Sequence, residues 1–222
     1  MRYFMRDTPL WQMERQMMIP PNFSPRGHGL YRPGYRYKPQ DVACRYCTNY
    51  DRKHPCPLNQ CICLEERIEA GALDLSKFVH DCFCSELDVR LQRRLREYLS
   101  RHNVCRFLND THWQRWKHWR DRYYRMSNRN KAALFLLTAY EDIWRRVVWQ
   151  FDISGFDFQS VRLSGIQTEL YGVYQAAKDI ATGSHNITAA DLADPDLVTE
   201  EAFQLIISAL LLAKYGDAIM EL

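Results

Sequence analysis

The sequence lacks the motifs of the familiar enzyme classes. It contains no glycine-rich phosphate-binding loop, no nucleophile elbow and no His-Glu-x2-His metalloprotease motif. Its carboxylate pairs, Asp194 with Asp196 and Glu200 with Glu201, suit loops and helix starts better than acid and base catalysis. We therefore interpret the chain as a non-enzymatic protein.

Long apolar runs are scarce as well. The most apolar stretch, residues 205–213, is interrupted by Ser208 and is far shorter than the roughly 20 residues that span a bilayer. No apolar region follows Arg2 and Arg6, so we expect no secretion signal. The expectation is a cytoplasmic protein without a membrane partner.

The composition and the spacing of apolar residues predict a folded, mainly α protein. Among the 222 residues, 46% are hydrophobic and 26% are charged, as is typical of folded domains. Apolar residues recur at helical spacing, which predicts a helical bundle with a small zinc-stabilised cysteine-rich module and an extended N-terminal arm. The predicted regions are a Pro/Arg/Tyr-rich arm (1–42), the cysteine-rich module (43–84), a connecting basic helix (85–104) and the bundle (105–222).

Charge is distributed unevenly along the chain. Residues 1–130 contain 24 Lys and Arg against 14 Asp and Glu, whereas residues 131–222 contain 6 against 13. This asymmetry fits either an anionic partner of the front half or attraction between the halves. In the arm, residues 32–38 alternate basic side chains with tyrosines, which suits nucleic acid but favours a solvated linker.

Seven of the eight cysteines lie between residues 44 and 84. The first four, Cys44, Cys47, Cys56 and Cys61, have the spacing Cys-x2-Cys-x8-Cys-x4-Cys. Two thiolates in a Cys-x2-Cys turn can reach one tetrahedral ion, and a second pair completes the shell. Disulfides are a poorer explanation in a cytoplasmic chain. We predict a structural zinc site with these four ligands, whose closed shell leaves no position for catalysis.

Other ligand choices stay open. Cys63 competes with Cys61 for the fourth position, and His54 is a further candidate. Cys105 stands apart, and we interpret it as a buried thiol. A later group supplies further candidate ligands, either for the same ion or for a second, weaker metal site: His80, Cys82 and Cys84.

Two predicted helices carry basic faces. The first runs from a cap at Ser85 and Asp88 to about Asn103, and its basic candidates are Arg90, Arg94 and Arg101. The second runs from about Asp110 to Met126, with tryptophans on one side and, on the other, Arg115, Arg122 and Arg125. We expect these arginines to be exposed and to contact phosphates or a partner. The second pattern alone favours a tryptophan-rich core helix with a solvated outer face.

The second half predicts further helices. A stripe over residues 136–147 predicts one helix, with Glu141–Arg145 and Asp142–Arg146 as pairs on its solvated side. The last predicted helix is apolar nearly all round and should form the buried centre of the bundle. Capping patterns predict helix starts at Ser164, Thr188 and Thr199, and glycine stops at Gly183 and Gly216.

Three features occur together in this chain. They are the proline-rich arm, the segment Cys44-Arg-Tyr-Cys47-Thr-Asn-Tyr with Cys56 and Cys61-Ile62-Cys63, and an all-α segment opening at Phe107-Leu-Asn-Asp-Thr-His-Trp. This arrangement resembles uncharacterised proteins carried on integrative elements and phages of gut Clostridia. The resemblance implies a mobile-element setting, which includes DNA-handling accessories and inhibitors of host defence nucleases.

Two functions of different classes follow. The first is a non-enzymatic, zinc-stabilised mobile-element protein whose basic front half binds nucleic acid or a nucleoprotein complex. The alternative is a protein-binding inhibitor of a host defence nuclease complex, of the anti-CRISPR type, with a charged surface that occupies a nucleic-acid channel. An enzyme with an unfamiliar site is a third hypothesis, which no motif supports.

Overall fold

A computed structural model describes residues 7–13, 37–47, 51–53, 56–152 and 154–222. The chain divides into two compact units, residues 1–74 and 75–222, and the division falls inside the cysteine-rich module predicted over residues 43–84. Most of the predicted arm, residues 14–36, and the candidate ligand His54 lie outside the described residues.

The first unit is built from short helical turns. Three 3-10 helices, Pro39–Val42, Cys44–Tyr46 and Leu58–Gln60, precede the α-helix α1 (Leu64–Glu69). The first 3-10 helix contacts α1. The buried apolar side chains of this unit are Tyr37, Val42, Cys63, Ile68 and Leu73.

The described part of the second unit is mainly helical, which confirms the mainly α prediction. Its helices are α2 (Leu75–Cys82), α3 (Val89–Arg101), α4 (Asp110–Arg122), α5 (Asn128–Ala139), α6 (Glu141–Val147), α7 (Thr168–Thr182), α8 (Ala189–Ala193) and α9 (Glu200–Tyr215). A small antiparallel hairpin follows α6, with β1 (Phe151–Asp152) paired to β2 (Gly155–Phe156). Two 3-10 helices, Val148–Gln150 and Asp217–Glu221, complete the unit.

Helix α5 lies at the centre of the second unit. All residues from Ala132 to Ala139 are buried, and α5 packs against α4, α6, α7 and α9. We predicted α9 as the buried centre; α9 is buried along most of its length, but α5 is the helix on which the others converge. Because α5 is apolar all round, it shows no amphipathic stripe for a sequence argument to detect.

Several predicted helix ends are confirmed. One start is shifted: the predicted box of Ser85 and Asp88 does not begin α3, because Asp88 itself is the cap, and its carboxylate accepts hydrogen bonds from the amides of Arg90 and Leu91. Thr188 forms a reciprocal capping box before α8, and Thr199 caps α9. Gly183 ends α7 with a φ of 75°, a left-handed conformation that glycine adopts without steric cost.

Two helix predictions are wrong. The helix predicted over residues 136–147 breaks at Tyr140, whose extended backbone (φ −117°, ψ 131°) separates α5 from α6. The pair of Glu141 with Arg145 forms at 2.7 Å, but Arg146 donates to backbone carbonyls in the loop at residues 162–164. Helix α7 begins at Thr168 and not near the predicted cap, Ser164.

The broken end of α5 is held by a buried histidine of α4. His112 Nε2 donates to the Phe135 carbonyl at 2.8 Å, and its Nδ1 accepts from the Leu108 amide at 3.0 Å. This arrangement uses one N–H donor and one bare nitrogen, which is the neutral imidazole. Burial lowers the pKa of His112 to about 4, and the hydrogen bond to Phe135 opposes this shift.

We predict that His112 makes the fold sensitive to mild acid. The pKa of His112 is near 6.5 in the unfolded chain and about 4 in the fold. Its contribution to the free energy of unfolding is therefore complete above about pH 6.5 and is lost as the pH falls toward about 4, by on the order of 3 kcal/mol in total. Denaturant unfolding across this pH range measures it.

The matched variants are His112→Gln, which removes the titrating group, and His118→Gln, which removes an exposed histidine of the same helix. The first should flatten the pH dependence of the free energy of unfolding, whereas the second should keep it. An unchanged slope in His112→Gln would contradict the assignment.

Candidate functional site

The four predicted zinc ligands lie on or beside the turns of the first unit. The Cys47 amide donates to the Cys44 carbonyl at 2.9 Å, so these two residues bracket one tight turn. Cys61 closes the next 3-10 turn by donating its amide to Leu58 at 3.1 Å, and Cys56 is exposed before that turn. None of the eight cysteines forms a disulfide. The four thiols are therefore not engaged in disulfides in this structure, and a thiolate is the form that binds a metal.

These thiols influence one another electrostatically. Burial raises the pKa of Cys56, and the neighbouring sulfurs of Cys61, Cys47 and Cys44 raise it further, while Arg67 opposes the shift. The Arg67 Nη1 atom lies 3.6 Å from the Cys61 sulfur, at hydrogen-bond distance for sulfur. Within the described residues, however, no three side chains among His, Cys, Asp and Glu lie close enough together to hold a metal ion.

The remaining cysteines have different surroundings. Cys63 is buried immediately before α1. Cys82 ends α2 in the second unit, where burial raises its pKa to about 11. Cys84 and His80 line a groove between α2 and α3. Cys105 is buried as predicted, and burial raises its pKa to about 12.

The structure places Arg94 inside the second unit and not on its surface. Its guanidinium donates to the carbonyls of Leu192 at 2.8 Å and Val198 at 2.6 Å. It also lies 3.7 Å from the Glu200 carboxylate and 4.2 Å from the centre of the Phe203 ring. Only 8% of Arg94 is exposed, so the expectation of exposure is wrong for this residue. Arg94 joins α3 to the two ends of the 192–198 segment.

Arg115 also differs from expectation. Its guanidinium donates to the Thr138 carbonyl at 2.7 Å and pairs with the carboxylate of Glu141, and the residue is half-buried. Thr138 belongs to the last turn of α5, whose carbonyls have no partners within the helix. Arg115 therefore caps α5. The other candidate arginines are exposed as predicted: Arg90, Arg101, Arg122 and Arg125.

Cations and aromatic rings alternate along α4 and the residues that follow it. Lys117 lies over Trp113 at 5.4 Å from the ring centre, Arg120 over Trp116 at 4.8 Å, Arg122 over Trp119 at 5.4 Å and Arg125 over Tyr124 at 5.4 Å. Arg120 is neutralised by Asp121 at 2.6 Å. We call the other three cations, Lys117, Arg122 and Arg125, the α4 basic surface.

Among the described residues, no carboxylate forms an ion pair with the α4 basic surface. No carboxylate of the described residues lies within 4.0 Å of Lys117, Arg122 or Arg125. By contrast, Arg101 lies 3.9 Å from Glu200, and Arg93 lies 4.0 Å from Glu97 on the same face of α3. Sequence reasoning missed Lys117. Its spacing of four residues from Trp113 and from Asp121 was the available signal, because residues four apart share one face of a helix, here the solvated side of α4.

The aromatic side of α4 fixes this surface to the bundle. Trp116 is fully buried and its indole donates to the Lys131 carbonyl at 3.3 Å. The Trp119 ring packs at 5.4 Å from Trp144 and 5.7 Å from Phe151, measured between ring centres. Edge-to-face aromatic pairs of this kind favour a defined ring orientation. Lys117 and Arg122 are thus carried by a helix that is packed against the bundle, and Arg125 lies three residues beyond its end.

Comparisons with protein families, curated proteins and solved structures give no match for this chain. In the described part of the chain, none of the helices combines the length and the apolar composition that a bilayer crossing requires.

We predict that two arginines one turn apart on α3, Arg90 and Arg94, contribute very differently to the free energy of unfolding. Arg94→Ala leaves two buried carbonyls without donors and should lower the free energy of unfolding by about 2–4 kcal/mol. Arg90→Ala removes an exposed side chain and should change it by no more than about 0.5 kcal/mol. Chemical denaturation of both variants measures the difference. Equal stabilities would show that the contacts of Arg94 contribute little.

Proposed function

We propose that this chain is a non-enzymatic, zinc-stabilised protein that binds nucleic acid or a nucleoprotein complex through the α4 basic surface. The mobile-element setting implied by the sequence resemblance is compatible with such a role. The proposal has two parts, a structural metal in the first unit and a phosphate-binding helix in the second.

The observation that carries the nucleic-acid proposal is the lack of an ion-paired carboxylate, among the described residues, on the α4 basic surface. Within the described residues, Lys117, Arg122 and Arg125 have no carboxylate within 4.0 Å, and each lies over an aromatic ring. Like charges placed together cost free energy unless an anion neutralises them, and a row of phosphates supplies regularly spaced anions. Guanidinium groups also donate two hydrogen bonds at once to phosphate oxygens.

The zinc proposal rests on the sequence spacing of the four cysteines and on the turns that carry three of them. Cys44 and Cys47 bracket a turn of the type that presents two thiolates to one ion, and Cys61 ends a second turn. Repulsion among neighbouring thiolates is relieved when a divalent cation binds them. The zinc proposal also implies that the metal adds to the stability of the first unit, because the free energy of binding a structural metal is folding free energy.

We predict about one zinc ion per chain, bound by Cys44, Cys47, Cys56 and Cys61. Elemental analysis of protein purified without chelator measures the stoichiometry. The variant Cys44→Ser with Cys47→Ser should lose the metal, whereas the matched pair Cys82→Ser with Cys84→Ser should retain it. Cys63→Ser should also retain it, because Cys61 is the assigned fourth ligand.

Zinc well below one equivalent in the unaltered protein would contradict the metal proposal. Loss of zinc in the Cys82 and Cys84 variant alone would instead assign the metal to the second unit.

We predict that charge reversal on the α4 basic surface weakens nucleic-acid binding. The test variant is Arg122→Glu with Arg125→Glu, and the matched control is Arg162→Glu with Lys178→Glu, which changes the net charge equally. Each lost phosphate contact should reduce the slope of log Kobs against log salt by about one unit in the test variant. Fluorescence anisotropy with labelled DNA and RNA at several salt concentrations measures both affinity and slope.

The control should bind as the unaltered protein does, because its two side chains lie away from α4 in the chain. An equal loss in both variants would indicate a response to net charge and not to this surface. Unchanged binding in the test variant would remove the α4 basic surface from the function.

One observation favours the alternative function, a protein-binding inhibitor of a host defence nuclease complex. Between α2 and α3 lies a groove of about 490 Å³ with apolar walls that include Val79, Phe83 and Leu99. Leu87 and Val89, in the segment joining these helices, are strongly exposed. The test is electrophoretic retardation of DNA and RNA at low salt, together with co-purification. If the purified protein retards neither nucleic acid but co-purifies with a defence nuclease complex, this second function is supported.

A further inference from the structure

Several aromatic side chains are exposed, and two of them, Trp113 and Tyr124, belong to α4 or to the residues directly after it. In the part of the chain that the structure describes, the exposed aromatic side chains are Trp113 (38% exposed), Tyr124 (67%), Trp149 (87%) and Tyr171 (46%). Trp113 lies within α4 and Tyr124 lies just beyond its end. Trp149 is the most exposed of the four, and its indole gains almost no burial from the fold.

The chain brings Trp149 close to the end of α4. Trp149 belongs to the 3-10 turn Val148–Gln150, which is joined to the hairpin by a 2.9 Å hydrogen bond from the Asp157 amide to the Gln150 carbonyl. Two residues later, the Phe151 ring lies 5.0 Å from the Tyr123 ring. Since two residues span at most about 7 Å, the Cα atom of Trp149 lies within that distance of the Cα atom of Phe151, whose ring makes this contact.

These side chains combine the two elements of a single-strand binding surface. Arg122 lies over the rings of Trp119 and Tyr123, which holds its guanidinium on the surface of α4. Arg125 stands over Tyr124 in the same way. The flat faces of bases are open to aromatic side chains in single strands, whereas in a duplex neighbouring base pairs cover them. Exposed rings beside unpaired cations therefore suit an unpaired strand better than a duplex.

We propose that the nucleic acid bound at the α4 basic surface is single-stranded, with Tyr124 and Trp149 stacking on its bases while Arg122 and Arg125 hold its phosphates. This inference rests on the nucleic-acid function proposed above. It assigns Trp149, which lies outside the predicted basic helices, as a base-binding residue.

Three probes of equal length separate base stacking from phosphate binding. They are a short oligothymidylate, a strand with the same phosphates but no bases, and a DNA duplex. Anisotropy at low salt should give the tightest binding to oligothymidylate, with oligouridylate close to it because stacking tolerates either sugar. Equal affinity for oligothymidylate and the abasic strand would overturn the proposal.

Trp149→Ala tests the assigned residue. It should lower the affinity for oligothymidylate about tenfold, the effect of losing one stacked base, and leave binding of the abasic strand unchanged. Trp149→Phe should keep most of the affinity because a ring remains. Tyr171→Ala is the matched control, since it removes an exposed aromatic side chain from α7 and should change nothing.

The outcomes distinguish this inference from the function on which it rests. If Trp149→Ala binds oligothymidylate normally while Arg122→Glu with Arg125→Glu binds it weakly, the stacking assignment fails and nucleic-acid binding stands. If the unaltered protein binds none of the probes, the proposed function itself fails. Loss of a co-purifying protein in Trp149→Ala, with oligothymidylate binding unchanged, overturns the inference and assigns Trp149 to a protein interface.

Discussion

The buried C-terminal end of α5 is the constraint on which the second unit depends. A helix that ends inside a protein leaves its last carbonyls without partners, and each one costs free energy unless a donor reaches it. Here Arg115 of α4 donates to the Thr138 carbonyl in the last turn of α5, and His112 of α4 adds a hydrogen bond to the Phe135 carbonyl just before that turn. The packing of α4 on α5 is therefore fixed by polar contacts as well as by apolar ones, and the outer face of α4 is fixed with it.

Sequence reasoning found the features that depend on local chemistry. The caps at Thr188 and Thr199 and the glycine stop at Gly183 are where the pattern predicts them, because each involves residues only a few positions apart. The break at Tyr140 was not predictable in the same way. The apolar pattern continues through Tyr140. The helix can end there because Arg115 of α4 donates to the Thr138 carbonyl, a contact that the local sequence pattern does not show.

The candidate site was predictable only in part, for a related reason. Arginine on the polar side of a helix has the same sequence pattern whether it meets water, phosphate or a buried carbonyl. Arg94 and Arg115 find carbonyls that lie far away in the chain, whereas Arg122 and Arg125 do not. Trp149 escaped notice because a tryptophan next to a strand is usually a core residue, and nothing local distinguishes an exposed one. The zinc ligands of the first unit, by contrast, are predicted from the spacing of the cysteines alone, and the metal site stays a prediction.

The contacts of Arg94 also bear on the order in which this chain acquires structure during synthesis. Its two carbonyl partners lie 98 and 104 residues further along the chain, so α3 leaves the ribosome long before they exist. Until residue 198 has been made, Arg94 is an uncompensated charge on the face of α3 that later becomes buried. Nascent α3 is thus kept from premature burial by its own arginine, and its docking waits for the C-terminal third of the protein.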